Sequence, residues 1–122
     1  MFNFKQLDPR ATIGSQVGDT GGPVVLFNVF TLEPQDAEAF LQAWSAESAF
    51  FKKQPGYIST QLHQGVGGST MYVNYAVWES AAAFAAAFHN PEFKETSKQF
   101  PASVTALPHL IRKLAVPGYC VA

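Results

Sequence analysis

The sequence predicts an α+β fold with four strands and two helical regions in the order β-α-β-β-α-β. Three observations indicate this order. A β-branched and aromatic run begins at Val24, a helical apolar stripe follows Pro34, and two strand-like runs flank a glycine-rich turn at 65–69. A second helical region and a final extended segment follow. This order is the split βαβ, or ferredoxin-like, arrangement, in which helices cover one face of an antiparallel four-stranded sheet.

Composition bounds the classes of protein to which the chain can belong. Its 122 residues suit one domain, and its formal net charge of −1 gives no basic surface for nucleic acid or an anionic membrane. One cysteine, Cys120, excludes an internal disulfide and a cysteine-rich metal site. Residues 1–5 lack the apolar stretch of a signal peptide, and no apolar run is long enough to span a membrane. We therefore expect a cytoplasmic protein.

Residues 1–23 are predicted to form an N-terminal arm, and residues 24–122 the domain. Glycines and prolines interrupt the arm, and its apolar residues follow neither strand nor helix spacing. Two arrangements remain open for the arm, since it is either disordered or laid across a partner subunit.

The first strand and first helix have distinct patterns. The strand, Val24–Phe30, is apolar on both alternating faces except at Asn28, as in a strand covered on both sides. The helix opens with Pro34 and ends at Pro55-Gly56. Its apolar stripe comprises Ala37, Phe40, Leu41, Trp44, Ala49 and Phe51.

The remaining elements follow from turn and cap residues. Residues 57–64 and 71–78 form a hairpin around the glycine-rich turn. Ser80 then caps an alanine-rich helix, and Asn90 begins a further helical segment. The last strand is predicted at Leu110–Val116.

Strand alternation places a large apolar surface on the sheet face away from the helices. Its residues are Val25, Phe27 and Val29 of the first strand and Met71, Val73, Tyr75 and Val77 of the third. Burial of each such side chain contributes about 1.5–3 kcal/mol, so face-to-face pairing of two sheets is favoured. We expect a homodimer with a barrel-like shared core.

The opposite face carries the candidate site. Asn74, Ala76 and Trp78 alternate toward the helices, with Tyr72 at the start of the strand, and Asn28 points the same way. Two amides and an indole N–H within apolar walls suit a pocket for a small aromatic ligand. The alternative is structural, with both asparagines bonded to backbone and Trp78 simply packed.

Other catalytic signals are weak. The three histidines have no metal-ligand spacing, and no dinucleotide fingerprint is present, so neither a metal nor another cofactor is expected. His63 stands on the second strand beside the third and is a candidate general base or heme contact. Tyr75 is a weaker one, because alternation directs it toward the dimer face.

One string is distinctive. Val73–Ser80 (VNYAVWES), preceded by Gln54–Ser59 (QPGYIS) and followed by Ala83-Phe84 and Asn90-Pro91, resembles the antibiotic biosynthesis monooxygenase family. The similarity covers about residues 24–114. It implies a ferredoxin-like homodimer, in agreement with the residue patterns.

Within that family, the resemblance is greatest to the actinorhodin-type enzymes. These use O₂, without metal, flavin or heme, to oxidise a polycyclic phenol, anthrone or quinol to a quinone. Their site asparagine and tryptophan fall on Asn74 and Trp78, whereas their tyrosine falls on Phe84, which has no hydroxyl. Further substrate contacts are expected from Asn28, Tyr72, Phe88, Phe40 and Trp44.

Two other activities are compatible with the same fold. Heme-degrading members carry an asparagine that matches Asn28, but their tryptophan and histidine positions fall on Ala87 and Ser97, so heme degradation is not expected. The second alternative is a non-catalytic dimeric module that binds a small molecule or acts in a stress response.

Overall fold

The computed structural model describes residues 2–122, which form five strands and four α-helices. The elements in chain order are β1 Asn3–Phe4, α1 Ile13–Gln16, β2 Val24–Thr31, α2 Ala37–Lys52, β3 Tyr57–Gln64, β4 Met71–Trp78, α3 Ala81–Phe88, α4 Pro91–Ser97 and β5 Thr105–Ile111. A short 3₁₀ turn, Pro34–Asp36, leads into α2. The ferredoxin-like order of the domain is therefore confirmed.

The sheet has five strands, so the prediction of four was wrong. Its order is β1-β5-β2-β4-β3, and every pair is antiparallel except β1 with β5, which is parallel. Asn3 N donates to Val104 O at 2.7 Å, and Lys5 N donates to Ala106 O at 2.9 Å. An edge strand offers unpaired peptide groups, and the N-terminal residues use those of β5.

The last strand was also predicted too late in the chain, because it spans Thr105–Ile111 and not Leu110–Val116. Pro108 lies within this strand, and a proline in a sequence run argues against a strand because it has no N–H to donate. The Gln16 side-chain amide donates to Leu110 O and accepts from Leu110 N, so the peptide group of Leu110 points to the outer edge. Residues 108 and 110 are two apart, so the nitrogen of Pro108 also points to the outer edge. On that side it faces away from β2, and the missing N–H breaks no hydrogen bond between β5 and β2.

The predicted hairpin and caps are confirmed. Strands β3 and β4 pair in antiparallel register. Ser80 Oγ accepts from Ala83 N at 3.1 Å, and Asn90 Oδ1 accepts from Glu92 N at 2.9 Å. Gly56 has φ +87°, and a side chain there would collide with Ala83, so glycine alone fits between α2 and β3.

Helix α2 buries a stripe slightly rotated from the predicted one. Phe40, Ala43, Phe50 and Phe51 are buried, whereas Leu41 is 42% exposed and Ala49 also faces solvent. Two hydrophobic clusters fill the space between the helices and the sheet, and α2 contributes to both. The first includes Phe50, Phe51, Trp78 and Phe84, and the second includes Phe30, Phe40, Tyr72 and Phe100.

The N-terminal arm packs against its own domain and is an ordered part of it. Ile13 of α1 is buried in the first hydrophobic cluster, and Val17 packs against that cluster. Gln16 extends the edge of β5, as described above.

The two faces of the sheet differ as alternation predicts. On the helix-facing side, side chains from β2 and β4 are buried. The open face is formed by partly buried side chains of β2, β4 and β5, namely Phe27, Val29, Val73, Tyr75, Val77 and Leu107. No helix within residues 2–122 combines the length and apolar character needed to cross a membrane.

Candidate active site

A cavity of about 70 Å³, here called the main cavity, lies between the helix-facing side of the sheet and the helices. Its walls are mostly aromatic, which favours a flat apolar ligand. The lining residues are Phe2, Phe4, Leu26, Asn28, Phe30, Glu47, Phe51, Phe84, Phe88, Phe93, Phe100, Ala106 and Pro108.

Asn28 and Glu47 are the polar side chains that this lining contains. Asn28 is 9% exposed, and its Oδ1 has no hydrogen-bond partner within residues 2–122. Buried amide oxygens are normally paired, since an unpaired one costs about 1–3 kcal/mol. Asn28 therefore offers a free acceptor to a ligand in the main cavity.

Glu47 was not singled out from the sequence. It occupies the core-facing stripe of α2, three residues after Trp44 and four before Phe51. Within residues 2–122 it makes no hydrogen bond or ion pair, and burial raises the pKa of its carboxyl group to about 8. A charged residue at an apolar stripe position is the signal that would have identified it.

The N-terminal segment closes the main cavity from outside. Phe2 packs edge-on against Phe100 with ring centroids 5.4 Å apart, and Phe4 lies 6.3 Å from Phe88. Ligand pockets commonly measure about 300–1,000 Å³, so a ligand with several rings requires the main cavity to widen. Only two residue pairs, Asn3–Thr105 and Phe4–Ala106, join β1 to β5.

A second, smaller space of about 10 Å³, here called the inner cavity, lies behind Leu26 and Phe51, which line both cavities. Asn74, Thr60 and Trp78 line it. Asn74 Oδ1 accepts from Thr60 Oγ1 at 2.6 Å, which leaves the amide N–H groups of Asn74 as its free donors. Asn74 also stands opposite Asn28 in the β2–β4 register, so the two amides are neighbours across the cavities.

Trp78 is fully buried. Its ring contacts those of Phe51, Tyr57 and Phe84, with centroids 5.6, 5.7 and 5.8 Å away. Its Nε1 has no acceptor within residues 2–122. An unpaired N–H at the centre of an aromatic cluster is unfavourable, and a ligand oxygen would satisfy it.

The structure separates the other predicted site residues into two groups. Phe84 and Phe88 line the main cavity. Phe40, Tyr72 and Trp44 instead belong to the second hydrophobic cluster and line neither cavity. Tyr72 lies on the helix-facing side of the sheet, as strand alternation predicts. The ring of Phe40 covers it, with ring centroids 4.8 Å apart, and separates it from the cavities.

His63 lies on the opposite side of the sheet from Asn74 and Trp78. It pairs with Val73 in the β3–β4 register, is exposed, and has its Nδ1 3.3 Å from Val73 O. Successive residues of a strand point to opposite faces, so within one chain His63 cannot reach the cavities. Among residues 2–122 no cluster of three histidine, cysteine, aspartate or glutamate side chains is present.

Comparison with known proteins agrees with this geometry. The family model described as antibiotic biosynthesis monooxygenase matches residues 23–99, which is more than half of the chain. The chain belongs to the antibiotic biosynthesis monooxygenase family. The match includes Asn28, Glu47, Asn74 and Trp78, so both cavities are built largely from the family domain.

The similar proteins include named monooxygenases. Deoxynogalonate monooxygenase from Streptomyces nogalater is 36% identical over 70 residues, which are 57% of this chain and 58% of that protein. The chain thus matches less than two thirds of that relative. SnoaB, a cofactor-independent oxygenase from Streptomyces nogalater, is 26% identical with a TM-score of 0.72, over 80% of this chain and 99% of SnoaB. A Shewanella loihica protein is 30% identical with a TM-score of 0.68, over 80% of this chain and 100% of its own.

Proposed function

We propose that the protein is a cofactor-independent oxygenase that uses O₂ to convert a polycyclic phenol, anthrone or quinol to a quinone. One observation carries the proposal, namely two unpaired polar atoms buried on the helix-facing side. These are Asn28 Oδ1 at the main cavity and Trp78 Nε1 beside the inner cavity. Their surroundings are aromatic, so an aromatic ligand with a hydroxyl donor for Asn28 Oδ1 and an oxygen acceptor for Trp78 Nε1 would both fill the space and pair these groups.

The chemistry requires little beyond binding and electrostatics. The conjugate base of an anthrone reduces O₂ directly, so the protein has to hold it in a dry pocket and stabilise the charge that develops on oxygen. The free N–H groups of Asn74 and the indole N–H of Trp78 are suitable donors. We propose that the ring system occupies the main cavity and that an oxygen atom at one end of it reaches these donors past Phe51.

The comparisons support the proposal at the level of the family. SnoaB is described as a cofactor-independent oxygenase, and its fold matches across 80% of this chain. The curated relative is named for a monooxygenase reaction on deoxynogalonate. The substrate of the present chain is proposed from its cavities and not taken from those names.

The test is oxygen uptake by purified, chelator-treated protein with unsubstituted anthrone. We expect uptake above the spontaneous rate, with anthraquinone as product, and a loss of at least tenfold in Trp78→Phe. The phenyl ring keeps most of the aromatic contacts and removes the N–H. Circular dichroism confirms that the variant is folded. Uptake at the spontaneous rate by the natural protein would contradict the proposal.

A non-catalytic binding module is the second candidate function, and Phe84 favours it. Its ring is 1% exposed and packs against Trp78 where a tyrosine would bring a hydroxyl into the site. The same experiment separates the two functions. Tight anthrone binding without oxygen uptake would indicate the binding module.

We also propose that two copies pair through their open faces. Phe27, Val29, Val73 and Tyr75 are only partly buried there, although each has a large apolar or aromatic side chain. Contact between two such faces would remove these side chains from water. This pairing forms the barrel-like core expected from the sequence.

The dimer is tested by sedimentation of the natural protein and of Val73→Asp. We expect the natural protein to sediment as a dimer and the variant as a monomer, because an aspartate within the interface would lose its hydration without gaining an oppositely charged partner. Val66→Asp is the control, since Val66 is 95% exposed in the β3–β4 turn. A monomeric natural protein, or a dimeric Val73→Asp, would refute this arrangement.

A further inference from the structure

The main cavity contains an acidic group that the function proposed above leaves unused. Glu47 of α2 lines this cavity, and Asn28 is the one other polar side chain in the lining among residues 2–122. It has no hydrogen-bond or ion-pair partner within residues 2–122, so it does not stabilise the fold through a contact. Glu47 is partly buried. A carboxyl group drawn from water into apolar surroundings without a partner opposes folding, which points to a role toward a ligand.

We propose that the Glu47 carboxylate is the general base that removes a proton from the substrate. This inference rests on the proposed oxygenase function and narrows the substrate class. The substrate is a carbon acid, such as an anthrone, whose reacting methylene group lies between two aromatic rings and faces α2. Asn28 Oδ1, on the sheet side of the same cavity, would orient a substrate that carries a ring hydroxyl group by accepting a hydrogen bond from it.

The surroundings of Glu47 suit this role. The side chains that line the main cavity from the N-terminal segment, β2, α2, α3, α4 and β5 include no other titratable or charged group among residues 2–122. Burial therefore acts on Glu47 unopposed and raises the pKa of its carboxyl group to about 8. A base whose pKa lies near neutral pH matches a weakly acidic carbon better than an ordinary carboxylate does.

The proposed steps balance in atoms and electrons. Glu47 takes one methylene proton, and the carbanion gives one electron to O₂. The resulting carbon radical and superoxide then join in a carbon–oxygen bond. The peroxide anion takes the proton back from Glu47. The carboxylate removes the second methylene proton as the O–O bond breaks, and the departing hydroxide receives that proton as water. The sum is methylene plus O₂ to carbonyl plus water, with all four electrons supplied by the substrate.

The test compares Glu47→Gln with Glu38→Gln, a matched change at an exposed site on the same helix. We expect Glu47→Gln to lower kcat for anthrone oxidation by about 100-fold with a smaller change in KM, because glutamine retains the shape but accepts no proton. Glu38→Gln is expected to match the natural protein. Equal kcat values in all three proteins would overturn the assignment of Glu47.

The pH profile supplies a readout that a merely structural role would not change. Only the ionised carboxyl group accepts a proton. In the natural protein kcat/KM, corrected for spontaneous oxidation, should therefore rise with pH and level off above about 8. In Glu47→Gln this rise of kcat/KM with pH should disappear. If the rise is unchanged in the variant, it reflects ionisation of the substrate, and the inference is refuted.

Anaerobic binding distinguishes failure of this inference from failure of the proposed function. Without O₂, the natural protein should bind anthrone and show the absorption of its conjugate base, and Glu47→Gln should bind it without that absorption. Deprotonation without oxygen uptake in air would overturn the oxygenase function and keep Glu47 as a base. Oxygen uptake in air, together with equal conjugate-base absorption in the two proteins, would overturn only the assignment of Glu47 as the base. Binding without conjugate-base absorption in the natural protein overturns the base role.

Discussion

Replacing Asn74 with alanine is expected to lower kcat for anthrone oxidation by about 100–1,000-fold, corresponding to about 2.7–4 kcal/mol. The reason is geometric. Thr60 Oγ1 donates to Asn74 Oδ1 at 2.6 Å, so the amide presents its N–H groups to any oxygen that develops negative charge in the inner cavity. These donors are fixed before the reaction and lie among apolar groups, where a hydrogen bond to an anion is strong. Oxygen uptake at saturating anthrone measures the effect.

Thr60→Val provides the graded control for this prediction. It keeps the side-chain shape and removes only the hydrogen bond that orients the Asn74 amide. We expect a loss of several-fold in kcat, between the natural protein and Asn74→Ala. A turnover in Asn74→Ala equal to that of the natural protein would remove Asn74 from the site, and the asparagine would then be structural.

Replacing Phe40 with alanine is expected to destabilise the protein by about 3–5 kcal/mol. Phe40 is fully buried, and its ring lies 4.8 Å from Tyr72, 5.0 Å from Phe30 and 5.7 Å from Phe100. Loss of this ring opens a void in the second hydrophobic cluster. Phe40 lines neither cavity, so the effect should appear in the free energy of unfolding and not in anthrone turnover by the folded variant.

The control is the adjacent residue. Leu41→Ala should change the free energy of unfolding by less than about 0.5 kcal/mol, because Leu41 is 42% exposed. Urea unfolding of both variants provides the measurement. A stable Phe40→Ala protein with weakened anthrone binding would instead return Phe40 to the pocket, as the sequence pattern had suggested.

Access to the site depends on the N-terminal segment, which the family match does not include. The matched region begins at residue 23, whereas Phe2 and Phe4 close the main cavity. The paired length of β1 is two residues, so opening this segment breaks few backbone hydrogen bonds. Phe2 and Phe4 make this wall of the main cavity apolar, and a hydrogen bond to a charged oxygen is stronger in such surroundings.

The sequence by itself determined the elements that depend on local chemistry. Alternation and β-branched residues specified β2, β3 and β4, and side-chain caps at Ser80 and Asn90 specified where α3 and α4 begin. Alternation also placed Asn28 and Asn74 on the helix-facing side, since the direction of a strand side chain follows from its position alone. The family followed from the same strand, Val73–Ser80.

Tertiary structure alone decided how distant segments share the core. Pairing of β1 with β5 and the position of Pro108 at an outer edge depend on backbone groups about 100 residues apart in the chain. Glu47 lies at an apolar stripe position of α2, but only the tertiary structure places it in the wall of a cavity with Asn28 and Phe84. A pattern within one element gives the direction of a side chain, but burial depends on what packs against it, and that is fixed only when the elements meet.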